Sequence, residues 1–308
     1  MSHTVFKKLE QALGEVIVGQ QAMIRQLLVA LLAGGHVILE GVPGTGKTLT
    51  VRVLARLVQA EFRRIQLTPD ILPSDILGTN VFDLATRTFV LKRGPVFTEI
   101  LLADEVNRTP PKTQAALLEA MEERQVTLDG ESLPLSELFW VAATQNSLEF
   151  EGTYPLPEAQ LDRFLFKLVV DYPDRAAEKQ MLLVRGATRT PELPPVVSVE
   201  EVLLARRSAR EVKVAEAVID YLLELVRRTR ETDDLVLGAS PRSAVAWLAA
   251  ARATAWLDGR DFVTPDDVKF VALPLLRHRL ILRPEAQLDG LRIDDVITAL
   301  LSRVAVPR

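Results

Sequence analysis

Apolar residues recur along this chain with two different periods, and the switches between them outline a fold. From Val5 to Glu15 and again from Gln21 to Leu32 they return every three or four positions, with Met23, Leu27, Leu28, Leu31 and Leu32 on one stripe. Two helices are expected there. Short segments rich in apolar residues then appear at Val37 to Glu40, Ile100 to Ala103, Phe139 to Thr144 and Leu165 to Val170, and the more polar Phe62 to Leu67 reads as a further strand. Runs of this length read as strands buried on both faces. Helical patterns from Leu49 to Val58 and from Pro111 to Arg124 separate them, and such alternation predicts a parallel sheet covered by helices.

Two segments carry hairpin patterns: Val81-Phe82 with Thr88 to Leu91, and Gln125 to Leu133 around Asp129-Gly130. The stretch Thr68 to Asp75 contains two prolines and two aspartates and is expected to be irregular. A short helix is expected over Pro157 to Phe164. Beyond Asp171-Tyr172-Pro173 the pattern is helical throughout to Arg308. Ser198 to Glu201 and Thr264 to Asp267 have the spacing of capping boxes, Pro191 to Pro195 forms a linker, and Trp247, Leu248 and Trp256 are core candidates. Residues 1–172 therefore read as an α/β domain and residues 173–308 as a helical one.

Composition narrows the function. With 308 residues and 48% hydrophobic side chains the chain can bury a sizeable core. Residues 1–172 carry 16 basic and 21 acidic side chains and residues 173–308 carry 21 and 20, so neither half is a basic surface for nucleic acid. The absence of cysteine excludes a disulfide scaffold and a thiol nucleophile. No run is long and apolar enough for a signal peptide or a membrane span, and a soluble, cytoplasmic protein is expected. His3, His36 and His278 are scattered and read as structural or solvated.

The chemistry begins at Gly41-Val42-Pro43-Gly44-Thr45-Gly46-Lys47-Thr48, a phosphate-loop pattern set between a strand and a helix. Its glycines let the backbone amides turn inward, and the helix that follows adds its positive end to them. Lys47 would reach the β- and γ-phosphates of a nucleotide and the Thr48 hydroxyl a magnesium ion. At the end of a later strand, Asp104 would support the magnesium shell and Glu105 polarise the attacking water. Asn146, after a further strand, either orients that water or occupies a turn. Arg163 has two readings: a local ion pair with Asp162 or Glu158, or a cation for the γ-phosphate of a neighbouring subunit. If Ser240 caps a helix that Pro241 begins, Arg242 lies in its first turn, where a cation is disfavoured by about 0.3–1 kcal/mol. A compensating anion is expected, and a nucleotide phosphate is favoured over a surface carboxylate.

Together these words resemble the AAA+ ATPases, and among them the MoxR family. The resemblance rests on Glu40 to Thr48, Ala103 to Gln114, Ala143 to Asn146, Pro157 to Phe164 and Gly238 to Arg242, and spans nearly the whole chain. It implies a core sheet of five parallel strands in the order 5-1-4-3-2, an all-α lid, and a hexameric ring. It makes Lys47 and Thr48 Walker A, Asp104 and Glu105 Walker B, Asn146 sensor 1, Arg163 a finger acting on a neighbour and Arg242 sensor 2. Val18, Gly19, Gly41, Pro43, Gly44, Thr45, Gly46, Lys47, Thr48 and Leu49 would bind ATP, with Thr48 and Asp104 on Mg2+. The hairpin around Thr79 to Lys92 resembles the helix-2 insert of this clade. Ser147 departs from the proline that many relatives carry after the sensor asparagine. The resemblance further implies a chaperone that remodels client proteins, often partners with von Willebrand factor A (VWA) domains. Rival readings are a nucleic-acid motor, disfavoured by the acidic Asp129-Gly130-Glu131 turn, a magnesium-chelatase-type subunit, and a small-molecule kinase.

Overall fold

The computed structural model describes residues 3–146, 152–185 and 193–307. Helices α1 (His3–Val16) and α2 (Gln21–Ala33) form where the 3.6-residue stripe runs, and Gly34 ends α2 in the left-handed conformation that glycine adopts without penalty. Strand β1 (His36–Glu40) follows, then α3 (Lys47–Leu57), β2 (Phe62–Gln66) and α4 (Pro73–Leu77). The last is a correction: Thr68 to Asp75 is not wholly irregular, because Pro73 sits where a helix tolerates it and Asp75 accepts from the Leu72 amide at 2.8 Å.

A hairpin of β3 (Gly78–Asp83) and β4 (Thr88–Arg93) projects before β5 (Ile100–Asp104). Helix α5 (Pro111–Glu123) leads to the hairpin of β6 (Gln125–Leu128) and β7 (Glu131–Pro134), and then to β8 (Trp140–Gln145), α6 (Glu158–Leu161) and β9 (Phe164–Val169). The core sheet runs β2-β5-β8-β1-β9 with every pairing parallel. Numbering those five strands along the chain gives the expected order 5-1-4-3-2, read from the opposite edge.

The second half comprises α7 (Arg175–Arg185), α8 (Val199–Arg210), α9 (Glu216–Glu231), α10 (Pro241–Leu257), α11 (Pro265–Leu276), α12 (Pro284–Leu288) and α13 (Ile293–Arg303). It is not helical throughout. Strand β10 (Leu235–Leu237) pairs antiparallel with β11 (Ile281–Leu282), tying the loop before α10 to the one after α11. Capping boxes start α8 at Ser198 and α11 at Thr264. The linker proposed at Pro191 to Pro195 begins outside the described residues.

One apolar layer, containing Leu27, Leu31, Val37, Trp140 and Phe166, is continuous with Trp247, Trp256 and Leu275 of the helical half. The opposite face of the sheet packs Ile38, Leu101 and Val141 on Leu117, Leu118 and Met121 of α5. No helix among the described residues is long and apolar enough to cross a membrane.

Candidate active site

Because all five core strands run the same way, one end of the sheet collects their last residues and the loops that follow. Glu40, Asp104 and Gln145 end β1, β5 and β8 there, with Asn146 just beyond. Gly41 leaves β1 so close to β9 that a Cβ on it would lie 2.1 Å from the Val170 carbonyl oxygen. Gly44 and Gly46 both have φ of +87°, and open space lies where their Cβ atoms would be, so backbone conformation and not crowding requires glycine. Helix α3 begins at Lys47 with no side chain capping its first amides. An anion is the natural partner for them.

Lys47 folds back across the loop, its ammonium donating to the Gly41 carbonyl and, at 2.9 Å, to that of Val42. Burial pulls its pKa below the ordinary lysine value, opposed by the charges of Asp104, Glu105 and Glu40. The Thr48 hydroxyl donates to Asp104 Oδ2 at 3.4 Å. A second hydroxyl, Thr144, donates to Asp104 Oδ1 and itself accepts from the Glu105 amide at 2.9 Å. This oxygen-only pairing of a hydroxyl with a buried carboxylate suits a hard cation such as magnesium.

Glu105 adopts φ of +59°, a left-handed conformation uncommon for glutamate, of the kind associated with functional sites. Its Oε2 accepts from Gln66 Nε2 at 2.7 Å and lies 3.3 Å from Arg108 Nε. Arg64 donates to Asp104 Oδ2 from Nε at 3.0 Å and from Nη2 at 2.7 Å. Sequence reading missed Arg64 and Gln66. Their alternation along β2 was the available signal, since residues two apart share a face of the strand. Asn146 is buried beside Gly41, and Ser147 lies outside the described residues.

A cavity of about 510 Å³ adjoins the loop, lined by Val16, Ile17, Val18, Gln20, Pro43, Gly44, Thr45, Gly46, Leu49, Tyr172 and Pro173, together with Glu178, Met181 and Leu182 of α7. Its size and mixed lining suit a nucleoside. The expected Val18, Pro43 and Leu49 line it. Gly19 instead stands behind it, where a Cβ would come 2.6 Å from that of Ala177.

The other end of the sheet holds the two predicted arginines. Phe164 opens β9 opposite His36, the first residue of β1, so the backbone of Arg163 lies five strand positions, about 16 Å, from the cradle end. Its partner is neither Asp162 nor Glu158. Asp162 is taken by Arg279, whose Nε donates to Oδ1 at 2.7 Å, and Arg163 Nε instead meets Glu122 Oε2 at 2.8 Å. Arg242 occupies the first turn of α10 behind a Ser240–Ser243 capping box, as expected, and its Nη2 meets Glu122 Oε1 at 3.1 Å. The carboxylate of Glu122 thus stands beside Arg242 in the single subunit.

The two buried histidines brace this end. His36 Nδ1 accepts from the Val141 amide at 3.0 Å, which leaves its Nε2 proton for the Met121 carbonyl at 3.2 Å. Burial lowers its pKa to about 4, with Arg124 and Arg206 acting in the same direction. His278 holds the Phe164 carbonyl at 3.0 Å, and burial depresses its pKa as well.

Comparison with known proteins assigns the ancestry of this arrangement. Residues 36–166 match the model of the ATPase family associated with various cellular activities (AAA), and residues 227–300 match the AAA lid domain. Chaperone MoxR1 of Mycobacterium tuberculosis is 44% identical over 97% of this chain and 82% of its own length. The chain belongs to the MoxR family of AAA+ ATPases. The uncharacterised YeaC of Bacillus subtilis is 45% identical over 99% of this chain and 96% of its own. The solved structure of a provisionally assigned ATPase from Cytophaga hutchinsonii superposes with a TM-score of 0.92 at 41% identity, covering 99% of this chain and 96% of that one.

Proposed function

We propose that this MoxR-family chain is one subunit of a hexameric ring that hydrolyses ATP and uses the turnover to remodel a client protein. The observation that carries the proposal is the separation of cradle and cations. Gly41 to Thr48 lies at one end of the sheet strands, whereas Arg163 and Arg242 converge on Glu122 at the other. With its backbone about 16 Å along the strands from its own phosphate loop and its guanidinium on Glu122 beside Arg242, Arg163 is placed to serve a neighbour's loop, so each site is completed across an interface.

Within that site the amides of the α3 first turn and Lys47 hold the phosphates, and Val18, Leu49 and the α7 side chains enclose the base. Thr48 and Asp104 would hold Mg2+, which when bound offsets the negative charge of the β- and γ-phosphate oxygens. Glu105 takes a proton from water as its oxygen bonds to the γ-phosphorus, while the bond from that phosphorus to the bridging oxygen breaks and ADP departs. Asn146 orients the water. Arg163 and Arg242 of the next subunit stabilise the charge that develops on the phosphoryl group.

Client engagement draws support from the β3–β4 hairpin, on which Val81, Phe82, Phe89 and Val90 are exposed around a Phe82–Phe89 ring contact of 5.3 Å, with Leu84 at the tip 83% exposed. Apolar side chains left in water on a projecting hairpin suit transient contact with a protein. A VWA-domain protein is the proposed partner. Nucleic acid is disfavoured by Asp129-Gly130-Glu131 at the adjacent hairpin tip, which Asn80 joins through Asp129 at 2.6 Å. Turnover per subunit, followed against protein concentration alongside sedimentation, tests the ring. Hydrolysis should rise steeply with assembly; equal rates from a dilute monomer would refute it.

A further inference from the structure

Resting on that reading of a shared site, we propose that Glu122 is its positioning residue, setting the separation and direction of the two arginines that one subunit offers to the next. Its two carboxylate oxygens are divided between them, Oε2 to Arg163 at 2.8 Å and Oε1 to Arg242 at 3.1 Å. Two guanidinium groups brought to the two oxygens of one small anion are already spaced for another anion with adjacent terminal oxygens, as a γ-phosphate has. Without the carboxylate they are two like charges at short range, free to turn apart on long side chains.

Glu122 is itself held from behind. Met121 is tied by its carbonyl to His36 at the root of β1, and α5 ends one residue after Glu122, with Arg124 in a left-handed conformation at φ of +52°. On the other side, Arg279 clamps the backbone flanking Arg163, reaching the Asp162 carbonyl at 3.2 Å and the Phe164 carbonyl at 2.7 Å. The peptide of Arg163 is therefore fixed by Arg279, and its guanidinium by Glu122. Arg242, arriving on α10, is held to Arg163 among the described residues by Glu122.

An ordinary surface ion pair at this exposure would matter little to stability. A positioning role makes a different demand, because a misplacement of about 1 Å costs roughly a hundredfold in rate. Two subunit types separate these cases. An acceptor carrying Arg163→Ala and Arg242→Ala keeps its cradle, and a donor carrying Glu105→Gln keeps its arginines, so their equal mixture should hydrolyse ATP although neither does alone. Adding Glu122→Gln to the donor should lower the mixed turnover at least about tenfold at unchanged half-saturating ATP. The same substitution in the acceptor, which has no arginines to position, should not lower it and serves as the control for folding and assembly. Equal losses from both placements, or no loss from the donor, would overturn the role of Glu122. An inactive starting mixture would overturn the shared site itself and this inference with it.

Discussion

The two ends of the core sheet are built in opposite ways. At the cradle end the loop is one contiguous segment, Gly41 to Thr48, because backbone amides can converge only where the chain itself turns. At the arginine end Glu122, Arg163, Arg242 and Arg279 come from regions far apart in sequence, because long side chains can meet from separate elements. Each end has an ion pair within the single subunit: Arg64 sits on Asp104, and Glu122 sits between the two arginines. On the proposed shared site, a subunit with both ends paired in this way would need its neighbour for catalysis and not for folding.

The largest effects should split the two ends by phenotype. Arg163→Ala is expected to lower turnover by about 10³–10⁵-fold while ATP affinity is kept, whereas Lys47→Ala should abolish binding. Phosphate release and the titration of a fluorescent nucleotide check both. Loss of affinity in Arg163→Ala would mean that the ends are not separate. Next, Glu105→Gln should retain ATP and slow turnover by about 10²–10⁴-fold, the usual contribution of a general base.

Acid should act at the arginine end. His36 is neutral when folded, with a pKa lowered from 6.5 to about 4, and His278 is shifted in the same direction. Below pH 6.5 the unfolded chain takes up protons that the folded chain refuses, so stability falls as pH drops. Each buried histidine contributes a slope approaching about 1.4 kcal/mol per pH unit between pH 6.5 and 5, before most carboxylates titrate. Denaturant melts across that window measure it, and His36→Asn should remove its share of the slope. An unchanged slope would place its proton elsewhere.

Legibility in the sequence follows the same division. The parallel sheet and most helix limits could be anticipated because buried parallel strands are rich in apolar residues and helices carry a stripe, whereas the strand order followed from the resemblance to the AAA+ ATPases. The phosphate-loop pattern from Gly41 to Thr48 and the acidic pair Asp104-Glu105 stood out because each is contiguous in sequence. Glu122 was not, since a glutamate near the end of an amphipathic helix looks like any solvated acid until Arg163 and Arg242 arrive beside it. Arg64 and Gln66 were hidden similarly in an edge strand, and the left-handed Glu105 has no signature in composition. The β10–β11 pair escaped notice because two and three residues are too few for a period to show.

The smallest predicted effect returns to the cradle end and tests how the base is enclosed. Gly19 has φ of +79°, and a Cβ there would come 2.6 Å from that of Ala177 and 3.4 Å from that of Pro173. Alanine at this position must therefore either leave the left-handed conformation, which costs it roughly 1–2 kcal/mol, or push α7 outward. Met181, one turn beyond Ala177, lines the cavity with Leu182, so an outward shift loosens the contact with the base and leaves Lys47, Thr48 and Asp104 in place. Gly19→Ala should raise the KM for ATP about tenfold, the equivalent of about 1.4 kcal/mol, with kcat at saturation nearly constant. Steady-state kinetics decide it. A fall in kcat at constant KM would tie α7 to the reacting phosphate and so to the neighbour's arginines, erasing the distinction between the two ends.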